Sequence, residues 1–179
     1  MFWTKNKEGK KAGTTLIGIT YGGCAALGTD FTPEKCQGDE IGVVKSCSGA
    51  LVGFTGNCAC EELVKTLIEK VKNSAEPASA AEEIAEHWET HPEMSNHDGR
   101  LVILNNKSAF LVSPGKSERV DSRIIAVGPG EEYALAAIRA VVAQPEVKET
   151  AAEIVKKAFD VAAGVCVLVN PGATIISLE

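Results

Sequence analysis

The sequence predicts an α+β protein: a four-layer α-β-β-α sandwich in which two antiparallel sheets pack face to face and a helix pair covers each outer face. Three observations carry this. Short apolar runs recur in pairs around turn residues, as hairpins do. The apolar period changes from strand-like to helix-like twice, and each time two helices follow in succession. Helices that arrive in pairs between sets of hairpins do not suit βαβ crossovers or a parallel sheet.

The elements follow in order. Residues 14–20 and 24–28 are apolar runs broken by Gly22-Gly23, a hairpin signal. Residues 31–39 read as a loop. A second hairpin pairs 40–45 with 50–54 across Ser-Cys-Ser-Gly. Leu63, Leu67, Ile68 and Val71 then share one face of a helix over about 57–73. Pro77 sits at the first turn of another, 78–90, which ends before Pro92. Residues 92–99 form a loop, and 100–105 with 109–112 make a third hairpin. Residues 122–127 are a strand entering Gly128-Pro129-Gly130. Helices follow at 131–142 and 148–162. Residues 165–169 and 174–178 are expected to close the chain as a hairpin around Asn170-Pro171-Gly172.

At 179 residues this is one domain, 14–179, behind a polar leader, 1–13. The net charge is −6; the leader contributes +3 (four Lys, one Glu), leaving −9 for the rest. So acidic a surface excludes nucleic acid as the main partner, because phosphate binding needs a basic footprint. No apolar run reaches the roughly 20 residues of a membrane helix. The leader has no apolar stretch after its charges, so it is not a secretory signal. The six cysteines, 24, 36, 47, 58, 60 and 166, read as free thiols in a reducing compartment, which places the protein in the cytoplasm. Cys58-Ala59-Cys60 is too tight a spacing for a zinc pair.

The step Gly13-Thr14-Thr15 is where chemistry enters. Thr often begins a strand, since its branched Cβ suits the pleat. A Thr that becomes the first residue of a cut chain, however, carries hydroxyl and amine together. Asp30 lies sixteen residues on. Gly13-Thr14-Thr15, Asp30, GFTG at 53–56 and IIAVGPGEEYALAA at 124–137, in this order, resemble the proteasome β-subunit and HslV-type threonine peptidase family. The resemblance covers essentially 14–178, and VGPGEEYALAAIRA followed by AAEIVKKAFDVAAGVCVLVN is its most specific part.

The resemblance implies the N-terminal-nucleophile hydrolase fold, which agrees with the independent strand count. It implies Thr14 as nucleophile after removal of residues 1–13, Asp30 as the buried aspartate, and a Lys that tunes the amine. It also implies a ring-shaped homo-oligomer, an ATP-dependent unfoldase as partner and unfolded polypeptide as substrate. No cofactor is required. The stretch 163–169 matches the one whose backbone carbonyls hold a structural monovalent cation, here Ala163, Cys166 and Val169. Apolar helix positions Ala134, Ala137, Ile138 and Val141 are expected to exceed what one sandwich buries, which also points to assembly.

The sequence departs from the family in three places. Counted forward from Thr14, the family's Lys spacing reaches Ser46, one past Lys45; counted back from GFTG it reaches Glu40 or Ile41. Lys45 is the candidate cation, with Lys35 second. Pro129 stands where the family has a Ser, and Gly164 where it has an acidic residue. A catalytically inactive ring or scaffold subunit that keeps its leader is therefore the alternative reading, and an amidase of the same fold class a third. His87 and His91, with His97 after them, have metal-pair spacing but read as a solvated helix end. The Gly128–Gly130 turn could hold an anion at a helix N-terminus, but Glu131 and Glu132 oppose one.

Overall fold

The computed structural model describes residues 14–31, 40–47, 49–57, 61–74, 76–90 and 99–179, of which 40–47, 57 and 61–64 are described as backbone. The leader, Lys35, His91, His97, Cys36, Cys58 and Cys60 lie outside the described residues. The elements are β1 (Leu16–Tyr21), β2 (Cys24–Thr29), β3 (Glu40–Cys47), β4 (Ala50–Asn57), α1 (Glu61–Asn73), α2 (Pro77–Thr90), β5 (Gly99–Leu104), β6 (Ala109–Ser113), β7 (Lys116–Arg119), β8 (Ile124–Val127), α3 (Glu131–Val142), α4 (Ala151–Val165) and β9 (Thr174–Leu178).

The expected architecture is present. One sheet runs β8-β1-β2-β9 and the other β3-β4-β5-β6-β7, and every strand pairing among the described residues is antiparallel. Strand alternation sorts the apolar residues into three layers. Val52, Phe54, Leu101 and Ile103 face α1 and α2, where Phe54 meets Trp88 at 6.0 Å between ring centroids. Leu16, Leu27, Leu51, Val102, Leu104 and Ile125 fill the space between the sheets. Ile17, Ile19 and Ala26 face α3 and α4, against Ile138, Ile154 and Phe159. Gly18 sets the sheet separation: a Cβ there would lie 2.9 Å from Leu27 and 3.0 Å from Leu104 across the gap.

Four expectations are corrected. Residues 165–169 are not a strand: α4 continues to Val165, and turn follows. The chain therefore does not close as a hairpin; β9 is a single strand that pairs with β2, from Ala25↔Leu178 to Thr29↔Thr174. Apolar β-branched residues suit either state, and here Ala158, Phe159 and Ala162 bury the helix face that carries the chain past 162. An extra strand, β7, runs through Lys116–Arg119, where no apolar residue signals it; it is a sheet edge with mostly exposed side chains. Finally, Ala134 and Ile138 are fully buried within the chain's own sandwich. Among the described residues the exposed large apolar ones are instead Tyr133, Val161, Val165 and Val167.

Candidate active site

Sheet β8-β1-β2-β9 gathers the site at one end. Leu16 begins β1 opposite both Thr29, at the end of β2, and Val127, at the end of β8; Thr29 in turn pairs with Thr174, which begins β9. Four chain segments thus converge there: Thr14-Thr15 entering β1, Asp30 leaving β2, Gly128 leaving β8, and Asn170 ahead of β9. Thr14, Thr15 and Asp30 are all buried, at 3%, 0% and 1% exposure.

Asp30 is held rigidly. Its Oδ1 accepts the backbone N–H of Thr15 at 2.7 Å, and its Oδ2 accepts the backbone N–H of Asn170 at 2.9 Å. The Asn170 side-chain amide also donates to the Asp30 carbonyl at 3.1 Å. A carboxylate that accepts a backbone N–H on each oxygen is fixed in orientation. The structure thus brings Thr14 and Asp30 together, with Thr15 between them.

Thr14 stands apart in one respect. Its Oγ1 is buried and has no hydrogen-bond partner among the described residues, whereas buried hydroxyls are nearly always paired. Its carbonyl, by contrast, accepts the Thr55 hydroxyl of β4 at 3.0 Å. Gly128 presses on the same carbonyl: with φ of +110° it occupies a conformation side chains rarely adopt, and a Cβ there would fall 2.4 Å from that oxygen. Gly130 donates its N–H to Thr15 Oγ1 at 3.4 Å, tying the start of α3 to the same segment. Glu131 and Glu132 occupy the first turn of α3, in keeping with a structural turn.

Two residues that bond to Asp30 and Thr14, Asn170 and Thr55, escaped the sequence reading. Asn170 was legible only as a turn residue before Pro171-Gly172, and Thr55 only as part of GFTG. Lys45 is placed by register opposite Val52, and its side chain lies outside the described atoms. The β3 residue in register with Thr55 is Gly42, three positions from Lys45, about 10 Å along a strand. Ala163 lies in the last turn of α4, Cys166 caps that helix, and Val169 is buried beyond it. The Cys166 carbonyl accepts the Val169 N–H at 3.1 Å, and the Cys166 thiol lies 3.6 Å from the Pro129 carbonyl.

A buried threonine opening a strand of a double-sheet sandwich, with a buried aspartate fixed beside it, defines the N-terminal-nucleophile hydrolase class. The HslV of Trypanosoma brucei has this fold: its crystal structure superposes with a TM-score of 0.75 at 21% identity, over 92% of this chain and 99% of that one. A Thiobacillus denitrificans protein, BPH in complex with epoxomicin, matches with a TM-score of 0.61 at 15% identity, over 92% and 98% of the two chains. In sequence the chain is 33% identical to the ATP-dependent protease subunit HslV of Caldicellulosiruptor saccharolyticus, over 92% of this chain and 98% of that protein. It is also 33% identical to the ATP-dependent protease subunit ClpQ of Bacillus pumilus, over 93% and 97% of the two chains. No family model matches. The chain belongs to the HslV family of proteasome-like threonine peptidase subunits.

Proposed function

We propose that Thr14 is the nucleophile of a peptidase and acts once the bond before it is cut and residues 1–13 are removed. The observation that carries this is the buried Thr14 hydroxyl, unpartnered among the described residues, beside a fixed Asp30. Within an uncut chain the Thr14 nitrogen is an amide and no base. Once freed it is an α-amine, with an ordinary pKa near 8, and it can take the hydroxyl proton. The Thr14 oxygen then attacks the carbonyl carbon of a peptide. The proton passes to the leaving nitrogen, an ester to Thr14 remains, and water cleaves that ester to restore the hydroxyl. Asp30 orients the segment, and a cation lowers the amine's pKa toward neutrality. Lys45 is proposed for that role from the sequence alone, although its register partner Val52 faces α1 and α2 rather than Thr14.

The substrate is unfolded polypeptide, delivered by an ATP-dependent unfoldase to a ring of identical subunits in the cytoplasm. The outer face of α3 and α4 supports assembly. It bears an apolar groove of about 600 Å³ lined by Tyr133, Ala136, Ala137, Ala140, Val141 and Val161, with Lys157 and Asp160 also in its lining. No helix among the described residues is long and apolar enough to cross a membrane. The Ala163, Cys166 and Val169 carbonyls are proposed to hold a structural monovalent cation. No other cofactor is called for.

Intact mass and peptide hydrolysis test the reading together. The chain is expected to lose residues 1–13 and cleave an unstructured peptide, Thr14→Ala to keep the leader and cleave nothing, and Lys45→Ala to lose most activity. A second reading, a non-catalytic ring subunit, rests on Gly42, which has no side chain, standing opposite Thr55 on β3, and on Pro129 at a position where the family resemblance implies a serine. A stable, inactive, full-length ring would establish that one instead.

A further inference from the structure

The Thr14–Thr15 peptide is gripped at both polar ends, from opposite sheets. Its N–H, on Thr15, donates to Asp30 Oδ1 at 2.7 Å; Asp30 directly follows β2. Its carbonyl, on Thr14, accepts the Thr55 hydroxyl at 3.0 Å; Thr55 is on β4 of the other sheet. Thr55 alternates with Val52 and Phe54, which face the α1–α2 layer, and shares the inner face with Leu51 and Gly53. It is therefore a polar residue at the end of an otherwise apolar inner row, and its hydroxyl is spent on the peptide that carries Thr14.

We infer that Thr55 is a positioning residue for the Thr14 nucleophile. A peptide plane fixed at both N–H and C=O cannot rock about its long axis. That fixes the frame from which Thr14 Cβ, its hydroxyl and its nitrogen project, and leaves rotation about the Thr14 Cα–C bond as the backbone torsion that sets them. Two single bonds from different sheets also make the setting depend on the separation of the sheets, so Thr55 couples the sandwich core to the site. Gly128 closes the third side, since nothing larger than hydrogen fits against the Thr14 carbonyl. The role rests on Thr14 being the nucleophile; the clamp itself does not.

Thr55→Val keeps the side chain's shape and removes the donor, while Thr55→Ser keeps the donor. In the full chain, allowed to mature, Thr55→Val is expected to lower kcat about 10- to 100-fold with KM within about threefold, and Thr55→Ser to restore kcat to within about threefold. Hydrogen exchange of the segment 14–20, followed by mass spectrometry, should accelerate in Thr55→Val and recover in Thr55→Ser. Full kcat in Thr55→Val, with Thr14→Ala inactive, overturns the positioning role alone. Unchanged exchange overturns the clamp. Wild-type turnover no greater than that of Thr14→Ala overturns the nucleophile reading, and the role with it, whatever the exchange shows.

Discussion

Asp30 and Asn170 are bonded twice across 140 positions of sequence: backbone N–H of Asn170 to Asp30 Oδ2 at 2.9 Å, and Asn170 side-chain amide to the Asp30 carbonyl at 3.1 Å. Both residues are buried. The first bond survives any substitution other than proline, and the second depends on the amide side chain. Asn170→Ala should therefore loosen Asp30 without releasing it. We expect a loss of about 1–2 kcal/mol in urea denaturation, the usual cost of removing one partner from a buried hydrogen bond, with peptide hydrolysis reduced severalfold. Unchanged stability would mean that water replaces the amide at no cost.

Gly128 should tolerate no side chain. Its Cβ would meet the Thr14 carbonyl at 2.4 Å, and its φ of +110° adds backbone strain. Gly128→Ala is expected to cost about 2–4 kcal/mol from strain and overpacking together. Gly164 is the control, as an exposed residue of α4 whose Cβ would meet nothing within 4 Å. Gly164→Ala should stabilise by about 0.5–1 kcal/mol, the helix preference of Ala over Gly. Thermal melts of the two variants should move in opposite directions.

The start of α4 carries a capping box. Thr150 Oγ1 accepts the Glu153 N–H at 3.3 Å, and the Glu153 carboxylate accepts the Thr150 N–H at 2.8 Å. Thr150→Ala should cost about 1 kcal/mol in chemical denaturation, as N-cap losses do.

The same box makes an acid-sensitive contribution. The Thr150 backbone N–H, and then its hydroxyl, hold the Glu153 carboxyl below its ordinary value of 4.5. The sign follows from linkage. A depressed carboxyl stabilises the fold above the unfolded pKa, and that contribution disappears as pH falls through the folded value. Between pH 7 and pH 3 the wild type should lose more stability than Glu153→Gln. Because Glu153 is exposed, the difference should be small and should shrink in high salt. Parallel acid titrations that superpose would show that the carboxylate contributes nothing.

Much of this architecture was legible because turn chemistry and strand alternation agree locally. Gly22 and Gly23 both have positive φ, as the hairpin between β1 and β2 requires, and Pro77 and Glu131 begin helices where their residue types suggest. Thr14 and Asp30 stood out only through the family resemblance, whose spacing they fit. The failures share a cause. Val165–Val169 is apolar enough for either state, and only the packing of α4 on β1 and β2 decides for helix and then turn. Lys116–Arg119 is polar throughout and becomes a strand because β6 offers it an edge. Asn170 and Thr55 lie 140 and 41 positions from the groups they bond, a distance no local pattern spans.

The pairing of β9 with β2 also sets an order in time. Chains emerge from synthesis N-terminus first, so Thr14, Asp30 and Thr55 are all made long before Asn170 and the strand that follows it. Until that strand docks beside β2, the Asp30 carboxylate lacks the Asn170 N–H and β2 lacks its outer neighbour. A chain broken off after α4 would hold every residue of the Thr14–Thr15 clamp and still leave Asp30 without its two bonds from Asn170. The fold thus withholds the finished Thr14–Asp30 arrangement from incomplete copies; it is set in place only when the whole sandwich is there to contain it.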